Sequence, residues 1–364
     1  MTFTSVPDAF RGRTILVTGA GGSIGSALSA AILDAAPHLL LLFDHSEAAL
    51  YEVNRKLASG LPSRTKAILG DVLDAALLEE VFARHRPDVI FHTAAFKHVP
   101  LMEENALAAI RNNAVATWEL ARTARRHETA LFLMVSSDKA VKPRSIMGAS
   151  KRIAELALLE LATAKTRMSA IRLGNVLDSQ GSVAPLFREQ IQDGGPVTVS
   201  HAQACRYFLS MDQAVQLILA AARLEAAAAF QDAARDGQES GIFVPQTGKP
   251  VKILDLARRM IQETKDAKSS EIHIAISGMR PGDKLSEEFV FANETLEPTA
   301  GGVLFRVRNK SILPVAQSMQ ALQSSLQDRD LATALETVRK LVPEYLPGET
   351  LLASANSTPP ANRP

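Results

Sequence analysis

"TILVTGAGGSIGSAL", residues 14–28, decides the fold. An apolar run ends at Gly19, and Gly22 and Gly25 follow just before a helical pattern begins. Such a turn permits a tight bend, close approach of the backbone to an anion, and close packing of helix on strand. The helix start then offers free N–H groups to a pyrophosphate. Gly19, Gly22, Ser23, Ile24 and Gly25 form the candidate cradle. A lone glycine cluster is also an ordinary strand–helix turn, and two acidic residues add weight to the anion reading. Asp44 closes the second strand, where a carboxylate grips ribose hydroxyls. No Arg follows immediately to receive a 2′-phosphate, Arg55 being the nearest downstream, so NAD is favoured and NADP is the alternative. Asp71 ends the third strand and is placed to bind the adenine amino group, with Val72 and Ala94 beside the cofactor; Asp71 is equally read as a helix N-cap.

Outward from this stretch, short apolar runs alternate with longer helical patterns. Residues 14–20, 38–44, 65–71, 88–95, 130–137 and 168–175 read as strands, and 23–35, 46–59, 74–85, 105–127 and 147–166 as helices. Continuously apolar strands alternating with helices predict an α/β, doubly wound parallel sheet covered on both faces. Ligands bind such sheets at the C-terminal ends of the strands. Beyond about residue 175 the alternation loosens. A helix and short strand in 179–204, an Ala-rich helix over 211–236, a loop "RDGQESG", a strand in "GIFVPQTG" and an amphipathic helix in "KILDLARRMIQET" predict a smaller C-terminal substrate-binding lobe. The expected division is 1–178 for the nucleotide-binding domain, with 205–245 returning to it. The lobe takes 179–204 and 246–345, and the Pro/Ser/Asn-rich 353–364 is expected to be a disordered tail.

Of the 364 residues, 46% are hydrophobic and 22% charged, the composition of a globular chain with a core. A formal net charge of +1 gives no basic face for a nucleic-acid partner. The single Cys205 excludes an intramolecular disulfide and a Cys-based zinc site, and fits a cytoplasmic setting. The eight His residues show no metal-ligand spacing. "LSAAILDAAPHLLLLFDHS" is interrupted by Asp34, Pro37 and His38, so no membrane span is expected, nor does the N-terminus read as a signal peptide.

"SSDKAVKPRSIMGASK", residues 136–151, carries the chemistry. Ser137, Asp138 and Lys139 follow a strand and fall at the sheet's C-terminal edge, where an acid and a base side by side tune one another's pKa. By itself Ser-Asp also reads as a polar loop. Lys151 lies one turn after Met147, on the same helical face. That face points Lys151 at a cofactor ribose and Met147 at the substrate. Many nucleotide-cofactor enzymes hold a Tyr at the position of Met147, and a thioether cannot titrate.

The chain resembles the extended short-chain dehydrogenases/reductases with a Rossmann fold. More narrowly, it resembles the CapD-like polysaccharide-biosynthesis branch, which includes the UDP-N-acetylglucosamine 4,6-dehydratases. The resemblance rests on "VTGAGGSIGS", "HTAAFKHVPLME", "SSDKAV-KP", "MGASKR", "RLGNVLDSQGSVAPLFREQI", "GGPVTVSH", "RYFLS", "KILDLARRM" and "GMRPGDKLSEE", in order over roughly residues 14–290. Long, membrane-anchored members of the branch also tend to carry Met in place of Tyr, and the chain resembles their catalytic portion. Two departures touch substrate detail: Asp178 stands where the family often has Gly, and Ser286 where it has Tyr.

The resemblance implies oxidation at C4 by a tightly held NAD, elimination of water across C5 and C6, and return of hydride to C6, with C5 configuration retained. Ser137 is then expected to bond the C4 oxygen and Asp138 to protonate the C6 hydroxyl. Lys139 is expected to be the C5 base, with a pKa depressed by Lys151, Lys97 or desolvation. The C4 proton leaves through Asp138 or a water. Lys97, His98, Met147 and Asn175 are expected at the sugar, and Arg206 and Arg280 at the UDP phosphates. A UDP-sugar epimerase on the same scaffold is the first alternative, and a silent nucleotide-binding regulatory protein the second. A homodimer or higher homo-oligomer, through helices 105–127 and 147–166, is the implied assembly.

Overall fold

A computed structural model describes residues 8–58, 64–230, 240–264, 272–308 and 314–357. Six strands form its centre: β1 (Thr14–Thr18), β2 (Leu39–Asp44), β3 (Thr65–Leu69), β4 (Val89–His92), β5 (Leu131–Ser137) and β6 (Arg167–Leu173). They pair in parallel in the order β6-β5-β4-β1-β2-β3. β1 and β4 are buried along their whole length. Successive side chains alternate between two apolar cores, Leu16, Leu41, Ile90 and Phe132 on one face and Ile15, Val17, Leu40 and Phe91 on the other. The strand order reverses between β1 and β4, and the glycine turn opens at that crevice.

The sheet is larger than the sequence suggests. Ile242–Pro245, within the 205–245 expected to return to the nucleotide-binding domain, adds in parallel beside β6; Leu304–Arg308 and Thr295–Pro298, expected in the lobe, follow antiparallel and make nine strands. The helices Ala316–Gln327 and Leu331–Leu341 bury Met319, Leu322, Leu335 and Val338 in the main core. The segments 295–308 and 316–341 thus close the free edge and one face of the sheet, instead of joining the lobe expected over 246–345. A separate small core, Phe187, Ile191, Val197, Val199, Ile253 and Ala257, marks what remains of that lobe.

Other differences are local. The helix expected over 105–127 runs from Ala106 to Arg126 with a π turn at Ile110–Val115, and a separate short helix, Val99–Glu104, precedes it. The tail expected to be disordered begins as a helix, Glu349–Ser357, which buries Leu351 and Ala355; residues 358–364 lie outside the described residues. So do 231–236 of the expected Ala-rich helix, residue 59 of the 46–59 helix, and most of "RDGQESG".

The observed Met211–Phe230 is long and apolar enough to cross a membrane by length and composition alone, yet half of its apolar window is buried in this fold. Its Ala214, Val215, Ile218 and Ala222 pack into the second core. The helix Ile146–Leu161 is buried on nearly every face, partly by the chain's own Leu331–Leu341. Of the two helices expected to make a dimer, this one is thus largely covered from within, whereas Ala116–Arg126 exposes Arg122, Arg125 and Arg126.

Candidate active site

A cleft of about 460 Å³ opens over the glycine turn. Its floor is Gly19, Gly22, Ser23, Ile24 and Gly25, and its far end is formed by Ser137, Lys139, Met147, Lys151 and Asn175. Gly19 adopts φ +68°, and a Cβ there would lie 2.6 Å from the Ala94 backbone nitrogen. A Cβ on Gly25 would run into the Gly19 carbonyl oxygen. The turn therefore requires glycine to fold tightly beneath whatever the cleft holds. No side chain caps the helix Ser23–Leu33, so none competes for the N–H groups at its start.

Asp44 is buried at the end of β2, accepting N–H bonds from Gly21 and Ser46, both at 2.9 Å. It braces the glycine turn, and each oxygen keeps a lone pair for a hydroxyl. Asp71 is exposed and accepts from Leu73 N at 2.9 Å; the N-cap of the following helix is Asp74 instead. Val72 is a core residue, and Ala94 contributes only backbone beside Gly19.

The loop after β6 forms the roof. Ser179, Gln180, Gly181 and Ser182 line the cleft, and Gln180 N donates to Ser23 Oγ at 3.1 Å. The imidazole of His98 fills the space a side chain at Gly181 would need. Asp178 has φ +58°, a left-handed conformation that glycine favours and aspartate tolerates. That backbone demand suits the Gly the resemblance implies at this position, and the Asp side chain pairs with Arg188 at the surface.

Lys97 and His98 are exposed at the rim, and both line the cleft. Partial desolvation lowers the pKa of each, and Lys97 depresses His98 further. Lys97 Nζ reaches Ser179 Oγ at 3.4 Å.

At the far end, Ser145 caps the Ile146–Leu161 helix by accepting from Gly148 N at 3.1 Å. One turn apart, Met147 and Lys151 both reach the cleft, as their spacing predicts. Burial pushes Lys151 down to about 8, with Glu155 opposing. The π turn was not legible in the sequence. It turns Asn113 inward, where its Nδ2 donates to Phe96 O at 2.9 Å and Ser150 Oγ at 3.1 Å, and its Oδ1 accepts from Phe96 N at 2.8 Å. Asn113 thereby staples the loop bearing Lys97 to the helix bearing Lys151.

Asp138 is wholly buried and does not line the cleft; its Oδ1 accepts from Ser137 Oγ and Lys139 Nζ, both at 3.0 Å. Burial raises the Asp138 pKa, Lys139 opposes, and Glu287 adds to the rise. The depressed pKa expected of Lys139 is not what the site gives. Burial alone would lower it, but Asp138 and Glu287 outweigh burial and hold the ammonium. Lys139 also donates to Asn175 Oδ1 at 3.0 Å.

Arg206 and Arg280 do not reach the cleft. Arg206 is buried, donating to Cys205 O at 2.7 Å and Leu285 O at 3.3 Å. Arg280 is exposed and pairs with Asp283 at 3.0 Å. Among the described residues, no group of three or more His, Cys, Asp or Glu is placed to hold a metal ion.

The family profile described as "Polysaccharide biosynthesis protein" matches residues 15–309. "Capsular polysaccharide biosynthesis protein CapD" of Staphylococcus aureus is 43% identical over 286 residues, 78% of this chain and 46% of the relative. "Probable polysaccharide biosynthesis protein EpsC" of Bacillus subtilis (strain 168) is 38% identical over 296 residues, 80% of this chain and 47% of the relative. The chain spans about half the length of these curated relatives. Among solved structures, DesIV of Streptomyces venezuelae, a dTDP-glucose 4,6-dehydratase solved with NAD and TYD bound, superposes with a TM-score of 0.63 at 21% identity, covering 76% of this chain and 88% of that one. A mostly parallel sheet with a glycine cradle at its crevice, matched along most of the chain, places this protein in the polysaccharide biosynthesis protein family, as a CapD-like extended short-chain dehydrogenase/reductase.

Proposed function

We propose that the chain dehydrates UDP-N-acetylglucosamine to its 4-keto-6-deoxy sugar, with retention at C5, for surface polysaccharide or glycan assembly. The observation that carries this reading is the buried Asp138–Lys139 pair, joined at 3.0 Å and opening to the cleft through Ser137 and Lys139. Elimination of water needs an acid and a base together, and epimerisation at C4 does not.

The cleft fits a dinucleotide: a cradle only glycine can form, uncapped helix N–H groups, and Asp44 at the end of β2. NAD is the preferred form, since a carboxylate stands where a 2′-phosphate would need a cation. When bound, it would supply the transient oxidation at C4 that makes the C5 proton acidic. Lys151 orients its ribose, and Met147 shapes the sugar pocket without titrating.

Ser137 bonds the C4 oxygen and passes its proton to water. A proton moved from Lys139 to Asp138 turns ammonium and carboxylate into amine and carboxylic acid. Lys139 then takes the C5 proton as the C6–O bond breaks. Asp138, through the Ser137 hydroxyl, protonates the departing oxygen, so water leaves and the pair is again an ion pair. Lys139 later returns its proton to the face of C5 it came from, which retains configuration, and the pair regains one proton from water.

Incubation of the full chain with UDP-N-acetylglucosamine, followed by mass spectrometry, tests this. Loss of about 18 mass units is expected, since proton transfer by placed groups contributes about 10²–10⁴-fold to such eliminations. Unchanged mass with altered stereochemistry would make the protein an epimerase. Bound NAD without conversion would make it a silent nucleotide binder.

A further inference from the structure

A buried carboxylate from beyond the first 178 residues, Glu287, stands at the Asp138–Lys139 pair. Glu287 is buried, with its side chain 2% exposed, and does not line the cleft. Its Oε1 lies 3.6 Å from Lys139 Nζ and 3.8 Å from Arg206 Nε, and its Oε2 lies 2.6 Å from Lys284 Nζ. All three cations also bond elsewhere: Lys284 donates to Val141 O at 3.0 Å, Arg206 to Cys205 O and Leu285 O, and Lys139 to Asp138 and Asn175. Lys139 alone of the three reaches the cleft. Its ammonium therefore stands between two carboxylates, Asp138 on its own strand end and Glu287 from the lobe.

We propose that Glu287 is a positioning residue for the reaction, delivered by the second lobe to keep a proton on the Asp138–Lys139 pair. The proposal rests on the dehydratase reading for its kinetic consequence. An opposite charge within about 4–6 Å favours a group's charged form, typically by 1–3 pKa units, and a like charge nearby favours a carboxylate's neutral form. Glu287 therefore raises the proton affinity of both partners, and the pair titrates as one unit. Glu287 itself stays ionised: burial opposes ionisation, and Lys139, Lys284 and Arg206 outweigh it. Arg206 works against the effect on Lys139. Besides the pair itself, the charged groups of this cluster among the described residues are Glu287, Arg206 and Lys284. The segment that docks the lobe thus also sets the protonation the elimination needs.

The test compares wild type with Glu287→Gln, which keeps shape and removes charge. Two quantities are followed across pH: turnover of UDP-N-acetylglucosamine, and the titration of Lys139 by the 13Cε shift of labelled lysine, assigned with Lys139→Arg. The Gln variant should titrate Lys139 at lower pH and move the alkaline limb of kcat down by about one unit or more. Its kcat should fall about tenfold or more, because the pair loses the proton it must donate. KM should stay within about threefold, since Glu287 lies outside the cleft. Glu287→Asp, which keeps the charge, should restore most of the limb's position, and it carries the same test if the Gln variant does not fold.

A Gln variant with both the limb and the Lys139 titration unmoved would overturn the proposal and leave Glu287 a packing residue. If wild type does not dehydrate UDP-N-acetylglucosamine, the functional reading fails. The Lys139 titration then still decides the role of Glu287.

Discussion

Ser136 and Ser137 are neighbours on β5, and their hydroxyls serve two different buried ion clusters. Alternation along the strand sends them to opposite sides. Ser136 Oγ donates to Glu155 at 2.6 Å. Arg172 grips the same carboxylate with two bonds of 2.9 Å, and Arg152 adds another at 2.9 Å. Arg172 also holds Glu294 at 2.7 and 3.0 Å. Glu155 is held down to about 2: burial opposes ionisation, and Arg172 overwhelms it. In the other cluster, Asp138 Oδ2 is buried without a hydrogen-bond partner among the described residues, and Lys139 opens to the cleft. The same residue types thus make a closed network that fixes helix to strand, and an open one with proton capacity to spare. The two clusters differ in completeness of hydrogen bonding, which suits the first to holding the fold and, on the proposed function, the second to proton transfer.

Three substitutions can break or sharpen that contrast. Lys139→Ala should lower kcat by about 10²-fold or more. Its unfolding midpoint should stay near wild type, because Asp138 can take up a proton in place of its partner. Steady-state kinetics and a thermal melt read both, and a large loss of stability would erase the distinction between the clusters. Arg172→Met should do the reverse. It strands Glu155 and Glu294 as buried carboxylates, at a cost of about 3–5 kcal/mol in denaturant unfolding. A change under about 1 kcal/mol would show that the closed network is not a scaffold. The smallest effect is expected at Arg280, whose ion pair with Asp283 is at the surface. Arg280→Ala should change stability by about 1 kcal/mol or less and leave KM for the nucleotide sugar within about twofold. A tenfold rise in KM would return Arg280 to the phosphate role its motif suggested.

What could be read from the sequence follows the same physics. β1, β2 and β4 to β6 are buried on both faces, so their residues form apolar runs that stand out. Thr295–Pro298 is exposed at all four positions, and its "TLEP" carries no such signal, so the outer strands passed for lobe. Gly19, Met147 and Lys151 were placed by spacing alone, because turn geometry and helical periodicity are local. Glu287 was not. In "LSEE" it looks like Glu288, which is exposed and pairs with Lys142, and only tertiary contacts separate the two. Arg206 differs for the converse reason: an arginine in a matched motif reads as a ligand contact, whereas here its Nη1 is tied to two backbone carbonyls and it does not line the cleft.

The late completion of the sheet bears on how the chain assembles during synthesis. β6 pairs with Ile242–Pro245, and that strand with Leu304–Arg308. Between β6 and Ile242–Pro245 the chain makes Val183–Gln192, Val197–Val199 and Met211–Phe230. While these are being translated, β6 stands as an open parallel edge with unpaired N–H and C=O groups, a template for another nascent chain.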